Sequence, residues 1–68
     1  MTVIEATAGE SVYDVLNRGL TEAKKTGKMV SVGHNNIHVT VRPQSYIHDL
    51  CTIYDLRKII KSSIKNSI

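Results

Sequence analysis

One cysteine, three histidines and a C-terminal run of cations are the side chains of this chain that could do chemistry. Cys51 follows His48 by three residues, which on a helix sets a thiol beside an imidazole. That pair is the minimum of a nucleophile and its base. A working nucleophile also needs an oxyanion stabiliser and a third group to orient the base. No glycine-rich loop lies near Cys51, no paired carboxylates flank a mouth, and no phosphate-cradling motif is present. The chain is therefore expected not to be an enzyme, with Cys51 packing as a small hydrophobe.

Metal chemistry fares no better. His34 and His38 sit in "VGHNNIHVTVRP", a run of alternating valines, and their parity sends them to opposite faces of a strand pair. His48 with Cys51 supplies two ligands where a structural zinc asks for four. No catalytic residue, metal ligand or cofactor is expected.

The cations are the more informative group. Arg57, Lys58, Lys61 and Lys65 fall on one helical stripe, and Arg42 on the open hairpin face is a further candidate anion contact. Such a stripe can track phosphates with salt-sensitive affinity. It lacks the interleaved aromatics that stack bases, so a solvated face that keeps an isoleucine-rich helix soluble competes with it. "TAGES" could offer backbone amides to an anion, but Glu10 already places one there.

These residues must be positioned by a small set of elements. "TVIEATA" is β-branched at Thr2, Val3 and Ile4 and reads as a short strand. Thr7 with Glu10, and Ser11 with Asp14, have capping-box spacing. Val12, Val15, Leu16, Leu20 and Ala23 share a helical face, Lys24 and Lys25 suit the C-terminal end, and Gly27 suits the left-handed stop. This predicts a helix over about 11–26, with Gly19 costing about 1 kcal/mol relative to Ala.

A two-residue turn at Asn35-Asn36 pairs Val32 with Val39 and Val30 with Val41, and puts Ser31 opposite Thr40. One face of the hairpin is then apolar and the other polar. Pro43 ends the second strand because it cannot donate to a ladder. "PQSYIHDLCTIYDLRKIIKSSIKNSI" predicts a second helix capped by Ser45. Its first half puts Tyr46, Ile47, Leu50, Cys51 and Tyr54 on one stripe. Its second half puts Ile53, Leu56, Ile60, Ile64 and Ile68 on another, rotated by a quarter turn or more. The combined apolar arc exceeds what one packing face needs. Either the helix breaks near residues 51–54, or it serves its own sheet with the first half and another copy with the second, and the latter is the expectation.

The order β-α-β-β-α, with two or three antiparallel strands and both helices on one face, is a two-layer α+β sandwich. The 68 residues form one domain, with 55–68 as an oligomerising or basic helical tail. So short a chain buries only about 60% of its unfolded surface. Cys51 alone allows no intrachain disulfide, which leaves oligomerisation as the device that completes the core. Leu56, Ile59, Ile60, Ile64 and Ile68 are the candidate interface of a dimer. No secretory signal or membrane-length apolar run appears, and a lone cysteine suits a reducing compartment, so a cytoplasmic location is expected. Charge is uneven: residues 1–23 carry Glu5, Glu10, Asp14 and Glu22 against Arg18, while residues 24–68 carry eight cations against Asp49 and Asp55. Such polarity attracts anionic partners or promotes association between copies.

The stretch "EAKKTGKMVSVGHNNIHVTVRPQSYIHDL" resembles small accessory proteins of tailed bacteriophages. In those, a helix ending in A-K-x-x-x-K leads to a hairpin with an Asn-containing tip, a V-x-V-x-P exit and a Ser-opened helix carrying D-L. Ala23, Lys24, Lys28, Asn36, Val39, Val41, Pro43, Ser45, Asp49 and Leu50 match, over about residues 10–55. His34-Asn35 departs from the aromatic or hydrophobic residue and Asn-Gly of that tip, and the isoleucine-rich tail has no counterpart. The matches are scaffold residues and carry over no active site. The resemblance implies a host-takeover or anti-defence factor, in the host cytoplasm, that binds a host protein, a nucleic acid or a signalling nucleotide.

Three functional expectations follow. The first is a non-enzymatic oligomeric binding protein that sequesters or inhibits a host component. The second is a basic nucleic-acid-binding regulator using Arg57, Lys58, Lys61 and Lys65. The third is a nucleotide sponge holding its ligand between protomers with Arg42, His38 and Tyr54.

Overall fold

The computed structural model describes residues 1–66, with side chains through Ser62. The elements are β1 (Thr2–Glu5), α1 (Val12–Thr26), β2 (Val30–His34), β3 (Ile37–Val41) and α2 (Ile47–Asn66), the expected β-α-β-β-α order. They form a small α+β fold with a three-stranded sheet ordered β1-β2-β3.

Local signals set the element ends. Ser11 is extended and its hydroxyl accepts from the Asp14 amide at 3.1 Å, so α1 starts as the Ser11/Asp14 spacing predicts. Gly27 ends it at φ +71°, donating its amide to the Ala23 carbonyl at 2.8 Å. Asn35 and Asn36 both lie at positive φ, 51° and 64°, which is the primed turn the hairpin register requires. Val30↔Val41, Ser31↔Thr40 and Val32↔Val39 pair as expected.

Two local expectations change. β1 joins β2 in parallel, Thr2↔Val30 through Glu5↔Gly33, so the sheet is mixed rather than antiparallel throughout. The reason is topological: α1 is a crossover helix that returns the chain to the same end of the sheet. Ser45 does not cap α2. Its amide and hydroxyl both turn back to Arg42, the amide donating to the carbonyl at 3.0 Å and the hydroxyl accepting from the amide at 2.9 Å. The turn at Pro43-Gln44 claims that side chain, and the first α2 bond runs from the Leu50 amide to the Tyr46 carbonyl.

The core lies between the sheet and the two helices. Val15, Leu16, Leu20 and Ala23 of α1 meet Val30, Val32, Ile37, Val39 and Val41, with Leu50 and Tyr54 closing from α2. Each fully buried Val or Leu contributes about 1.5–3 kcal/mol. Gly19 is buried against β2 and is needed there: a Cβ would run into Cγ2 of Val32. Cys51 packs against this core, partly buried, as a small hydrophobe should.

Length decides the remaining shape. A five-residue strand spans about 17 Å, whereas the 20 residues of α2 span about 30 Å. The continuous α2 therefore overruns the sheet, and the molecule measures 42 × 24 × 21 Å. No helix among the described residues is long and apolar enough to cross a membrane.

Candidate interaction surfaces

Three surfaces remain after the core is closed. The first is the sheet face away from the helices. A belt of polar groups crosses it: Glu5 Oε1 meets His38 Nε2 at 3.0 Å over the central strand. That contact passes directly above Gly33, where a Cβ would lie 2.8 Å from the Glu5 carboxyl carbon and from His38 Nε2. Two arginines hold the ends of the belt. Arg18 donates to the Glu5 carbonyl at 3.0 Å, and Arg57 donates to the His38 carbonyl.

Both carbonyls belong to the open sheet edges. In the hairpin, the two-residue turn makes His34–Ile37 a bonded pair, so alternation points the backbone groups of His38 and Thr40 outward. In β1, the Ala6 amide donates to Gly33, and the same alternation turns Glu5 outward. Each helix thus sends one arginine to cover an edge carbonyl that could otherwise recruit a foreign strand. Arg18 is itself fixed by a two-pronged contact with Glu10, both nitrogens at 2.8 Å. Those hydrogen bonds from Arg18, helped by the Thr7 amide, hold the Glu10 carboxyl down at about 2, and Glu10 in turn raises Arg18. Glu10 therefore supplies the anion at the "TAGES" turn, as its position suggested.

The second surface is the hairpin tip beside α2. His34 points inward, as its parity requires, and its ring bridges three elements. Nε2 lies 3.1 Å from the Glu10 carbonyl and Nδ1 lies 2.9 Å from the Tyr54 hydroxyl. A carbonyl only accepts, so neutral His34 carries its proton on Nε2 and Nδ1 accepts from Tyr54. Beyond Tyr54, Lys61 Nζ reaches the Asn35 carbonyl at 3.3 Å, and Lys58 and Ser62 complete a groove of about 200 Å³.

The third surface is on α2. Ile53, Leu56 and Ile60 repeat at three and four residues on the side away from the core, and Ile59 flanks them. Leu56, Ile59 and Ile60 are 56%, 63% and 56% exposed. Tyr46 continues this line, 74% exposed, rather than packing with Leu50 and Tyr54 as its place on the first stripe suggested. It precedes the first turn of α2 and lines a groove with Arg42, Asp49 and Ile53 instead.

The residues singled out from the sequence are therefore dispersed. Arg42 lies at the far end of β3 from the hairpin tip, in the groove with Asp49. Arg57 is spent on the His38 carbonyl, while Lys58 and Lys61 face the tip together. His38 projects from the open face and Arg42 lines the groove with Asp49, whereas Tyr54 is buried under the sheet, so one protomer does not assemble the three into a nucleotide site. Leu56, Ile59 and Ile60 share one exposed side; the side chains of Ile64 and Lys65, and all of Ile68, lie outside the described residues. His48 is exposed and Cys51 half-buried. Among the described residues, no group of three or more His, Cys, Asp or Glu side chains could hold a metal ion.

Sequence reasoning missed the Glu5–His38, Glu10–Arg18 and His34–Tyr54 contacts. Glu10 and Arg18 are eight apart with a helix start between them, which no helical spacing rule pairs. Glu5–His38 becomes visible only once β1 is known to be parallel to β2. No family model, curated protein or solved structure matches this chain.

Proposed function

We propose that this chain is a non-enzymatic, self-associating binding protein that acts by stoichiometric occupation of a partner's surface. The observation that carries the reading is the exposed apolar side of α2, built from Ile53, Leu56, Ile59 and Ile60 on the side of the helix away from the core. An apolar strip of this kind on a soluble chain marks an interaction site. A second copy is the occupant the chemistry favours, because a two-fold contact buries the strip against itself and leaves Arg57 at the rim. The open sheet face, with its Glu5–His38 belt and Thr40, is then free for the partner. The resemblance to bacteriophage accessory proteins supports a host component as that partner.

The reading is tested by immobilising the wild type and the Ile60→Asp variant and challenging both with bacterial lysate, with and without nuclease. It predicts a stoichiometric host protein that survives nuclease and is captured by the wild type. Material that is lost with nuclease contradicts it and transfers the function to nucleic-acid binding.

A further inference from the structure

The groove at the hairpin tip has a chemistry of its own. Lys58, Lys61 and Ser62 stand at i, i+3 and i+4 on α2, which places their side chains on one helical face. Asn35 approaches them from the turn, and Ile37 and Tyr54 line the groove with them. Tyr54 is locked there by its bond to His34, so that part of the wall is rigid. Lys61 already reaches a backbone oxygen of the turn, which holds its ammonium group over the groove. Among the described residues no carboxylate lines the groove. Among the described residues the carboxylates in contact with a basic side chain are Glu10, on Arg18, and Glu5, on His38, so neither Lys58 nor Lys61 is matched by an anion.

Two unneutralised ammonium groups, a hydroxyl and a side-chain amide around about 200 Å³ form a donor set for a compact oxyanion. We infer that this groove binds the phosphate group of a phosphate ester. The ammonium groups of Lys58 and Lys61 neutralise the charge, while Ser62 and Asn35 donate to the remaining oxygens. The apolar side chain of Ile37 leaves room for the organic part of the ester to lie against it. The groove is complete within one protomer and does not depend on self-association through the opposite side of α2.

The test is an amide-resolved NMR titration at constant ionic strength with three probes: inorganic phosphate, a mononucleotide and a single-stranded oligonucleotide. Chloride serves as the control anion. Shifts confined to residues 34–37 and 58–62, saturating with phosphate and absent with chloride, are expected. Lys58→Gln with Lys61→Gln should weaken phosphate binding about ten-fold or more, while Lys24→Gln with Lys25→Gln on α1 should leave it unchanged. Tighter binding of the mononucleotide than of the oligonucleotide identifies a free nucleotide as the source of the phosphate. The reverse order, with affinity falling steeply in salt, identifies a nucleic-acid strand. Shifts that spread over every lysine, that chloride reproduces, or that survive the Lys58/Lys61 double variant overturn the inference.

Discussion

Replacing Gly19 by Ala should destabilise the protein, although helix propensity alone says the opposite. In a helix interior Ala is favoured over Gly by about 1 kcal/mol. Here the new methyl would overlap Cγ2 of Val32 and lie 3.7 Å from Cγ2 of Val41. Both valines are buried and β-branched, so neither can swing aside without leaving its rotamer. Overpacking of this kind costs roughly 1–3 kcal/mol. The overlap is severe, so the upper part of that range applies and the net loss is about 1–2 kcal/mol after the propensity gain. In a domain of this size that lowers Tm by about 5–15 °C. Urea unfolding followed by far-ultraviolet circular dichroism, at fixed chain concentration, measures it. Val32→Ala removes the obstructing methyl and alone costs about 2–3 kcal/mol. The double variant should therefore lose about 1–2 kcal/mol less than the sum of the two singles. Gly33→Ala is the control: its methyl meets only the exposed ends of Glu5 and His38, which can move, so stability stays within about 0.5 kcal/mol. A stabilised Gly19→Ala, or strictly additive singles, would refute the packing argument.

Other expectations are as concrete. Asn36→Gly should be neutral or stabilise by less than about 1 kcal/mol in urea unfolding, since Asn36 sits at φ 64° and Gly adopts that region freely. Glu10 has its carboxyl lowered from 4.5 to about 2 by Arg18 and Thr7, so its contribution is complete above pH 4.5 and is lost as pH falls towards 2. Thermal melts between pH 6 and 2 should show that loss in the wild type and a flatter profile in Glu10→Gln. Tyr54→Phe should cost about 1 kcal/mol by leaving His34 Nδ1 without its donor, and His34 amide exchange should quicken.

The parts of this fold legible in the sequence are those governed by neighbours in the chain. Ser11 and Gly27 bound α1 because capping is local, and Asn35-Asn36 turns the hairpin because positive φ is a property of the residue. The valines of β2 and β3 fix the register because a one-residue slip would expose them all. The direction of β1 was not legible, since its four residues pair with either polarity and only the crossover through α1 decides. Ser45 misled for a related reason: a hydroxyl after a proline turn can bond forward to a helix or back to a strand, and here it goes back. The cationic stripe was visible as a stripe, but its division was not. Arg57 is drawn to an edge carbonyl while Lys58 and Lys61 meet the turn, and that depends on where the end of a hairpin lies against a helix. The apolar side of α2 was legible because two stripes on one helix exceed what one sheet can cover.

If this second stripe joins two copies of the chain, the mass in solution reveals it. Light scattering coupled to size exclusion, at high micromolar concentration, measures that mass. The expected result is a wild-type mass of twice 7.6 kDa and a single-chain mass for Ile60→Asp, which sets a charge in the seam while the circular dichroism spectrum stays that of the folded chain. A wild type that elutes as one 7.6 kDa chain at that concentration contradicts it.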